Sequence, residues 1–372
     1  MGYFPTLVPG STGREPSSHD LPMLLETIIT LLLGGLLFRW GTRFGRLMLR
    51  KGATADDLFK GKPALSLLFL GLYVALIVLA LNVPQMQVLP LEWRIYGMRV
   101  TWTIMRVVLL GFCGLALMVS WKTARSQVIA VILIGLLGVG GFSTAESYFL
   151  APIHSELHDY LQPNGVFQQT SMSSCAPSAL ATVLRRWGSN ATESSVAKLA
   201  GTSRLGTSMP QLIKAAREMG MEGIELAPTW EQMMRINRPA VLGVWLLDGP
   251  RKLPHAVALL AMNQEQAAIG DPARGKIYAL NRSQFAEIWR QQYVPIFRPS
   301  EIAITQAQAS DYLRRSGFLT STASDFKQAL NRFQESIGIQ PTDYLDTQTT
   351  LLLMGPYLKD VPTLTELKIM QP

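Results

Sequence analysis

The chain changes regime twice in its pattern of hydrophobic and polar positions. Four long apolar runs come first, Leu21–Phe38, Ala64–Val83, about Val100–Trp121 and Gln127–Ala145, each close to the ~20 residues that carry a helix across a bilayer core. Beyond them the runs shorten and become periodic. Leu180, Val183, Leu184 and Trp187 fall at i, i+3, i+4 and i+7, which predicts an amphipathic helix closed by Gly188. Ser173 or Ser174 is expected to cap it, and Pro177 suits its first turn. Helical spacing returns over Ser194–Ala200 and Ser208–Met219, each ended by glycine. Pro239–Leu246, the run opened by His255 and the patch before Asp271 read as strands. Helices followed by sheet is an α+β order. From about Ala303 three short helices are predicted, Ile304–Ser316, Ser324–Ile337 and Asp346–Leu353, stopped by Gly317, Gly338 and Gly355.

This pattern divides the chain into a flexible tail without a cleavable signal pattern (1–20), a four-helix transmembrane region (21–145) and a juxtamembrane linker (146–161). An α+β domain (162–299), a small all-α domain (303–360) and a second tail (361–372) follow. The expected fold class is therefore a multi-domain membrane protein: an α-helical transmembrane bundle, an α+β domain and a small all-α C-terminal domain. Composition agrees with a membrane portion, since 48% of the 372 residues are hydrophobic and mean hydropathy is +0.19.

The net charge of +8 suggests a nucleic-acid partner only where basic residues cluster on a folded surface. Here they gather in the loops between apolar runs. The first loop holds Arg39, Arg43, Arg46, Arg50, Lys51, Lys60 and Lys62, the third Lys122 and Arg125, and the second only Arg94 and Arg99. By the positive-inside rule loops one and three face the cytoplasm. The chain after Ala145 is then expected outside the inner membrane, with the lipid bilayer and not nucleic acid as its partner. Arg106 lies within the third run, near enough to its start to snorkel. Gly34-Gly35 and Gly140-Gly141 lie inside spans, where small residues allow close helix packing.

Chemistry concentrates in the middle of the chain. Cys175 stands at the start of a predicted helix, where unpaired N–H groups and the helix dipole favour a thiolate. The second cysteine, Cys113, is inside an apolar run, so no internal disulfide is expected. His255 supplies a base, Asp271 a partner to orient it if the two strands lie side by side, and Gln169 an amide to hold an oxyanion. Taken singly, each has an ordinary structural reading: a buried thiol, a strand-end histidine, a turn-opening aspartate. His154 and His158 are four apart with Glu156 and Asp159 nearby, but a solvated juxtamembrane segment is the better reading than a metal site. No cofactor or metal is expected.

The order Gln-x5-Cys-Ala-Pro, Gly206-Thr207-Ser208 before a helix, Leu-Pro-His-Ala-Val-Ala-Leu and Gly-Asp-Pro-Ala-Arg-Gly-Lys resembles the bacteriocin-processing, double-glycine cysteine peptidase family. The resemblance covers about 162–299 and implies a papain-like fold, with Cys175 as nucleophile, His255 as general base, Asp271 as its orienter and Gln169 as oxyanion donor. Ser174 stands where the family often has Asp, and Ala176 where it often has Gly. The C-terminal segment resembles the small three-helix peptidoglycan-binding domain at Phe333-Gln334, Gly338 and Thr349, with Tyr344 and Asp346 where glycines are usual. Together these imply a membrane-anchored cysteine peptidase outside the inner membrane, with a peptide or protein substrate, held near peptidoglycan. The alternatives are a wall-bound secretion or assembly factor that binds without cutting, and a hydrolase of peptidoglycan stem peptides.

Overall fold

The computed structural model describes residues 20–54, 63–248, 251–319 and 326–365. The expected N-terminal tail, Lys60 and Lys62 of the first loop, the predicted start of a helix at Ser324 and most of the second tail lie outside them. The chain divides into two compact units, residues 1–89 with 96–147 and residues 90–95 with 148–372.

The first unit is built on α1 (Asp20–Arg50), α2 (Pro63–Asn82), α3 (Leu91–Thr123) and α4 (Val128–Phe149). Among the described residues two stretches, Arg99–Thr123 and Arg125–Phe149, are long and apolar enough to cross a membrane. Glycines set the approach of α1 to α3: a Cβ at Gly41 would lie 2.1 Å from the Gly111 carbonyl oxygen, and one at Gly114 would lie 2.3 Å from that of Phe38. No larger side chain fits at either point without parting the helices. The glycine pairs expected to pack closely do so only at Gly34, which meets Leu110, whereas Gly35, Gly140 and Gly141 face open space. Arg106 also departs from expectation. Instead of snorkelling to an interface it ion-pairs at 2.7 Å with the buried Glu146 of α4, because two opposite charges satisfy each other where water is scarce.

The second unit opens with the short pair β1 (Tyr160–Leu161) and β2 (Phe167–Gln168). Three helices follow, α5 (Cys175–Arg186), α6 (Glu193–Ala200) and α7 (Met209–Glu218), then β3 (Glu222–Gly223) and α8 (Trp230–Ile236). Next are β4 (Ala240–Asp248), β5 (Arg251–Met262), β6 (Gln266–Asp271), β7 (Lys276–Asn281), α9 (Arg282–Ile288) and β8 (Trp289–Phe297). The main sheet has six strands in the order β3-β8-β4-β5-β6-β7, and every pair is antiparallel. The chain ends in α10 (Pro299–Ile302), α11 (Gln306–Arg315), α12 (Phe326–Ser336) and α13 (Thr347–Met354).

Both faces of this sheet are covered. On one, the fully buried Leu180, Val183 and Leu184 of α5 pack against Ala256 and Ala258 of β5, whose small side chains let the helix lie close. Replacing such a buried leucine by alanine costs about 2–5 kcal/mol. On the other, Val257 and Leu259 of the same strand join Leu242 and Tyr293 in a cluster with Leu313, Leu330, Phe333 and Leu352 from the C-terminal helices. The period-two alternation of β5 thus feeds two cores. The C-terminal helices are the second cover of the sheet and are tied to α8, where Gln232 Nε2 donates to the Ile337 carbonyl at 2.7 Å and Arg235 Nε to that of Leu352 at 2.9 Å.

Candidate active site

Cys175 is the first residue of α5 and is half-buried. The serines expected to cap this helix do not. Ser174 Oγ donates back to the Ser171 carbonyl at 2.9 Å, and Ser173 Oγ donates to that of Arg204 at 2.6 Å. As first-turn amides, those of Cys175 and Ala176 have no intrahelical acceptor, and the serine side chains do not cap them; Pro177 has no N–H to satisfy. The helix end is left to a developing negative charge beside the sulfur.

His255 is the first buried residue of β5. Pairing of Ala258 with Gly270 aligns β5 and β6, and His255 Nε2 comes within 2.7 Å of Asp271 Oδ1. Cys175 also acts on the ring, through a hydrogen bond and its charge. Burial by itself lowers the imidazole pKa. Hydrogen bonds to Asp271 and to Cys175, with the charges of both, outweigh it and raise the value from the usual 6.5 to about 9. The arrangement thus has the parts that a thiol nucleophile requires, a base against the sulfur and a buried carboxylate behind the base.

Asp271 ends β6, and the Ala273 amide donates to its Oδ1 at 2.9 Å. The same turn fixes Gln169, whose N–H donates to the Pro272 carbonyl at 2.9 Å. Gln169 Nε2 gives one hydrogen to the Ser171 carbonyl at 2.9 Å and keeps its second for another acceptor. All four residues singled out in the sequence, Cys175, His255, Asp271 and Gln169, therefore lie in one network of helix start, strand start and turn.

His154, His158, Glu156 and Asp159 do not form a cluster; no group of three potential metal ligands occurs among the described residues. Asp159 instead accepts from the Ser194 N–H at 2.6 Å and its hydroxyl at 2.5 Å, at the start of α6.

Two features escaped the sequence reading. The carboxylate of Glu193, fully buried, accepts from the Thr170 N–H at 2.8 Å and the Thr170 hydroxyl at 2.7 Å, clamping the residue next to Gln169. The other is Arg290 on β8. Its guanidinium lies 4.6 Å from the centre of the Trp245 ring and interacts electrostatically with Cys175. Burial lowers its pKa, and the sulfur's charge opposes that shift.

A model of the family described as "Peptidase C39 family" matches residues 164–301. An uncharacterized protein of Methanothermobacter thermautotrophicus is 31% identical over 138 residues, 37% of this chain and 90% of that protein. The Pediocin PA-1 transport/processing ATP-binding protein PedD of Pediococcus acidilactici is 27% identical over 124 residues, 33% of this chain and 17% of that protein. Among solved structures, the peptidase domain of Streptococcus ComA, a bi-functional ABC transporter involved in a quorum-sensing pathway, is 22% identical. It covers 36% of this chain and 98% of that one, with a TM-score of 0.33. A double glycine motif protease from an AMS/PCAT transporter, in complex with the leader peptide, is 23% identical, covering 36% and 90%, with a TM-score of 0.30. Through residues 164–301, folded as an α+β domain, the chain belongs to the peptidase C39 family, whose members cleave double-glycine leader peptides.

Proposed function

We propose that this protein is a membrane-anchored cysteine peptidase, working on the outer side of the inner membrane close to peptidoglycan and cutting a peptide after Gly-Gly. The observation that carries the catalytic reading is the position of His255, hydrogen-bonded to Asp271 and to Cys175. In this reading the Cys175 thiolate attacks the scissile carbonyl carbon. The oxyanion is held by the Cys175 N–H and the remaining Nε2 hydrogen of Gln169. His255 gives a proton to the leaving amine as the C–N bond breaks, leaving a thioester. It then takes a proton from water, which attacks the thioester, releases the carboxylic acid and restores the thiolate. Asp271 keeps the ring oriented and stabilises its charged form. Glycines at the cut place no side chain between the carbonyl and these donors.

Membrane anchoring is supported by Arg99–Thr123 and Arg125–Phe149, and the outer location by basic residues that the structure places not in a loop but on the last turns of α1, Arg39, Arg43, Arg46 and Arg50, with Lys122 and Arg125 where α3 gives way to α4. Wall contact is supported by a groove of about 640 Å³ beside α12, lined by Ile304, Phe326, Lys327, Asp343 and Tyr344.

The test is turnover of synthetic Gly-Gly leader peptides by the purified chain. Cys175→Ala should abolish it, and Gln169→Ala should lower kcat by ~10²–10³, the usual cost of one oxyanion donor, while leaving Cys175 open to alkylation. Full complementation of a deletion strain by Cys175→Ala at normal protein level would sink the enzymatic reading in favour of a binding cleft.

A further inference from the structure

Arg290 has a setting that the reaction above does not use. It is partly buried, lies over the Trp245 ring, and pairs with no carboxylate among the described residues. The backbone has been shaped to put it there. The β4–β8 register shifts between Gly243 and Val244, and Gln291, which follows Arg290, has φ +57°. A non-glycine residue in that conformation is held against its own preference, and an irregularity of this kind re-aims the neighbouring side chain. The result is a partly buried cation against an aromatic ring, one residue from Trp289, which pairs with Val244 on β4 as His255 does from the other side; the charge of the Cys175 sulfur acts on it as well. The fully buried Arg238 of this unit has an acidic partner, Glu301; Arg290 has an aromatic ring.

We propose that Arg290 and Trp245 form an anion subsite of the cleft, which receives a carboxylate of the bound peptide next to the scissile bond and so selects acidic substrates. A guanidinium fork matches a carboxylate with two parallel N–H···O bonds, and partial burial strengthens them. The inference rests on the peptidase reading for its substrate, but the subsite itself is open to a test that needs no turnover.

The full-length protein is alkylated with iodoacetate, which is anionic, and with iodoacetamide, which is neutral, and modification of Cys175 is followed by mass spectrometry of its peptide. Both reagents react with the same thiolate, so the ratio of their rates removes thiol reactivity and leaves charge recognition. Arg290→Gln should lower the iodoacetate to iodoacetamide ratio by about fivefold, as expected for one charge at short range in a partly desolvated site. Arg290→Lys should keep most of it, and Arg290→Glu should lower it further. An unchanged ratio, including the case where both rates fall together, would overturn the proposal and leave Arg290 a neighbour of the sulfur only.

Protection of Cys175 by peptides identifies the carboxylate. C-terminally amidated peptides with Glu or Gln beside Gly-Gly, and the Gln peptide with a free C-terminus, separate a side-chain from a terminal source. Preference for one acidic form, lost in Arg290→Gln, supports the subsite; equal protection by all three overturns its role in substrate choice. A wild-type protein that shows the charge-dependent ratio but cleaves no peptide would refute the peptidase reading and keep the subsite.

Discussion

His255 is governed by opposing influences of comparable size, burial against hydrogen bonding, and the outcome sets a pH range. Its pKa in the folded chain, about 9, lies above the ordinary 6.5. Its contribution to stability is therefore complete below pH 6.5 and is lost as the pH rises through about 9. The ring keeps its proton over the same interval, so kcat/KM should fall on the alkaline side near pH 9. Asp271→Asn keeps the shape of the contact but removes the charge that favours the protonated ring. That alkaline limb should then move to lower pH, measured as the pH–rate profile or as the pH dependence of Cys175 alkylation. A limb left in place by the substitution would show that Asp271 does not act on the base. The four candidate residues stood out in the sequence through their joint order, since each local pattern alone, a cysteine at a helix start or a histidine opening an apolar run, has an ordinary structural reading. Glu193 and Arg290 did not. Glu193 reads as an ordinary acid in a first helical turn, and nothing local shows that it is fully buried against Thr170. Arg290 sits beside the register shift between β4 and β8, and its place on the sheet depends on pairing that no local pattern shows.

Among the elements, periodicity located the long helices, α5 to α7 and the strands β4 to β6, but not α8, β7, α9 or β8. Leu180, Val183 and Leu184 do form the buried stripe of α5, and β5 runs apolar from His255 to its end. What periodicity does not reveal is which surface an amphipathic helix will cover. The three C-terminal helices looked like a separate piece, yet Leu313, Leu330, Phe333 and Leu352 lie in one cluster with Leu242, Val257 and Leu259 of the sheet. The expected glycine position at Asp346 also has a local explanation, since its side chain caps α13 by accepting from the Thr349 N–H at 2.6 Å. Gln334 donates to Thr349 and Thr342 at 2.9 and 2.8 Å, fixing the loop that carries Tyr344. A chain ended after Ala303 should therefore lose cooperative thermal unfolding of its catalytic unit, since a wide apolar sheet face would be left in water. Calorimetry or a dye-binding melt in detergent would show this. An unchanged Tm would mean that the helices are an independent appendage.

At the scale of the molecule, two units of different surface share one chain. The first exposes large apolar side chains on several helices, among them Leu32 at 69%, Ile129 at 71% and Leu137 at 73%, far more than water tolerates as a contiguous patch. The second carries the candidate site and the groove at Tyr344. If the proposed placement holds, amine-reactive cross-linking of intact cells should leave the chain attached to sacculi after boiling in detergent, and Tyr344→Ala should reduce the attached amount. Absence of the chain from sacculi, with a known wall-bound protein recovered in the same sample, would refute wall contact. The shared core of sheet and C-terminal helices also bears on how such a protein changes over generations. A substitution in α12 that improves the groove acts on a helix whose opposite side supports the strands of the thiol site. Selection for a new surface preference and selection for the peptidase fold are thereby coupled, and recombination that moved residues 164–301 alone into another gene would transfer the chemistry without half of its support.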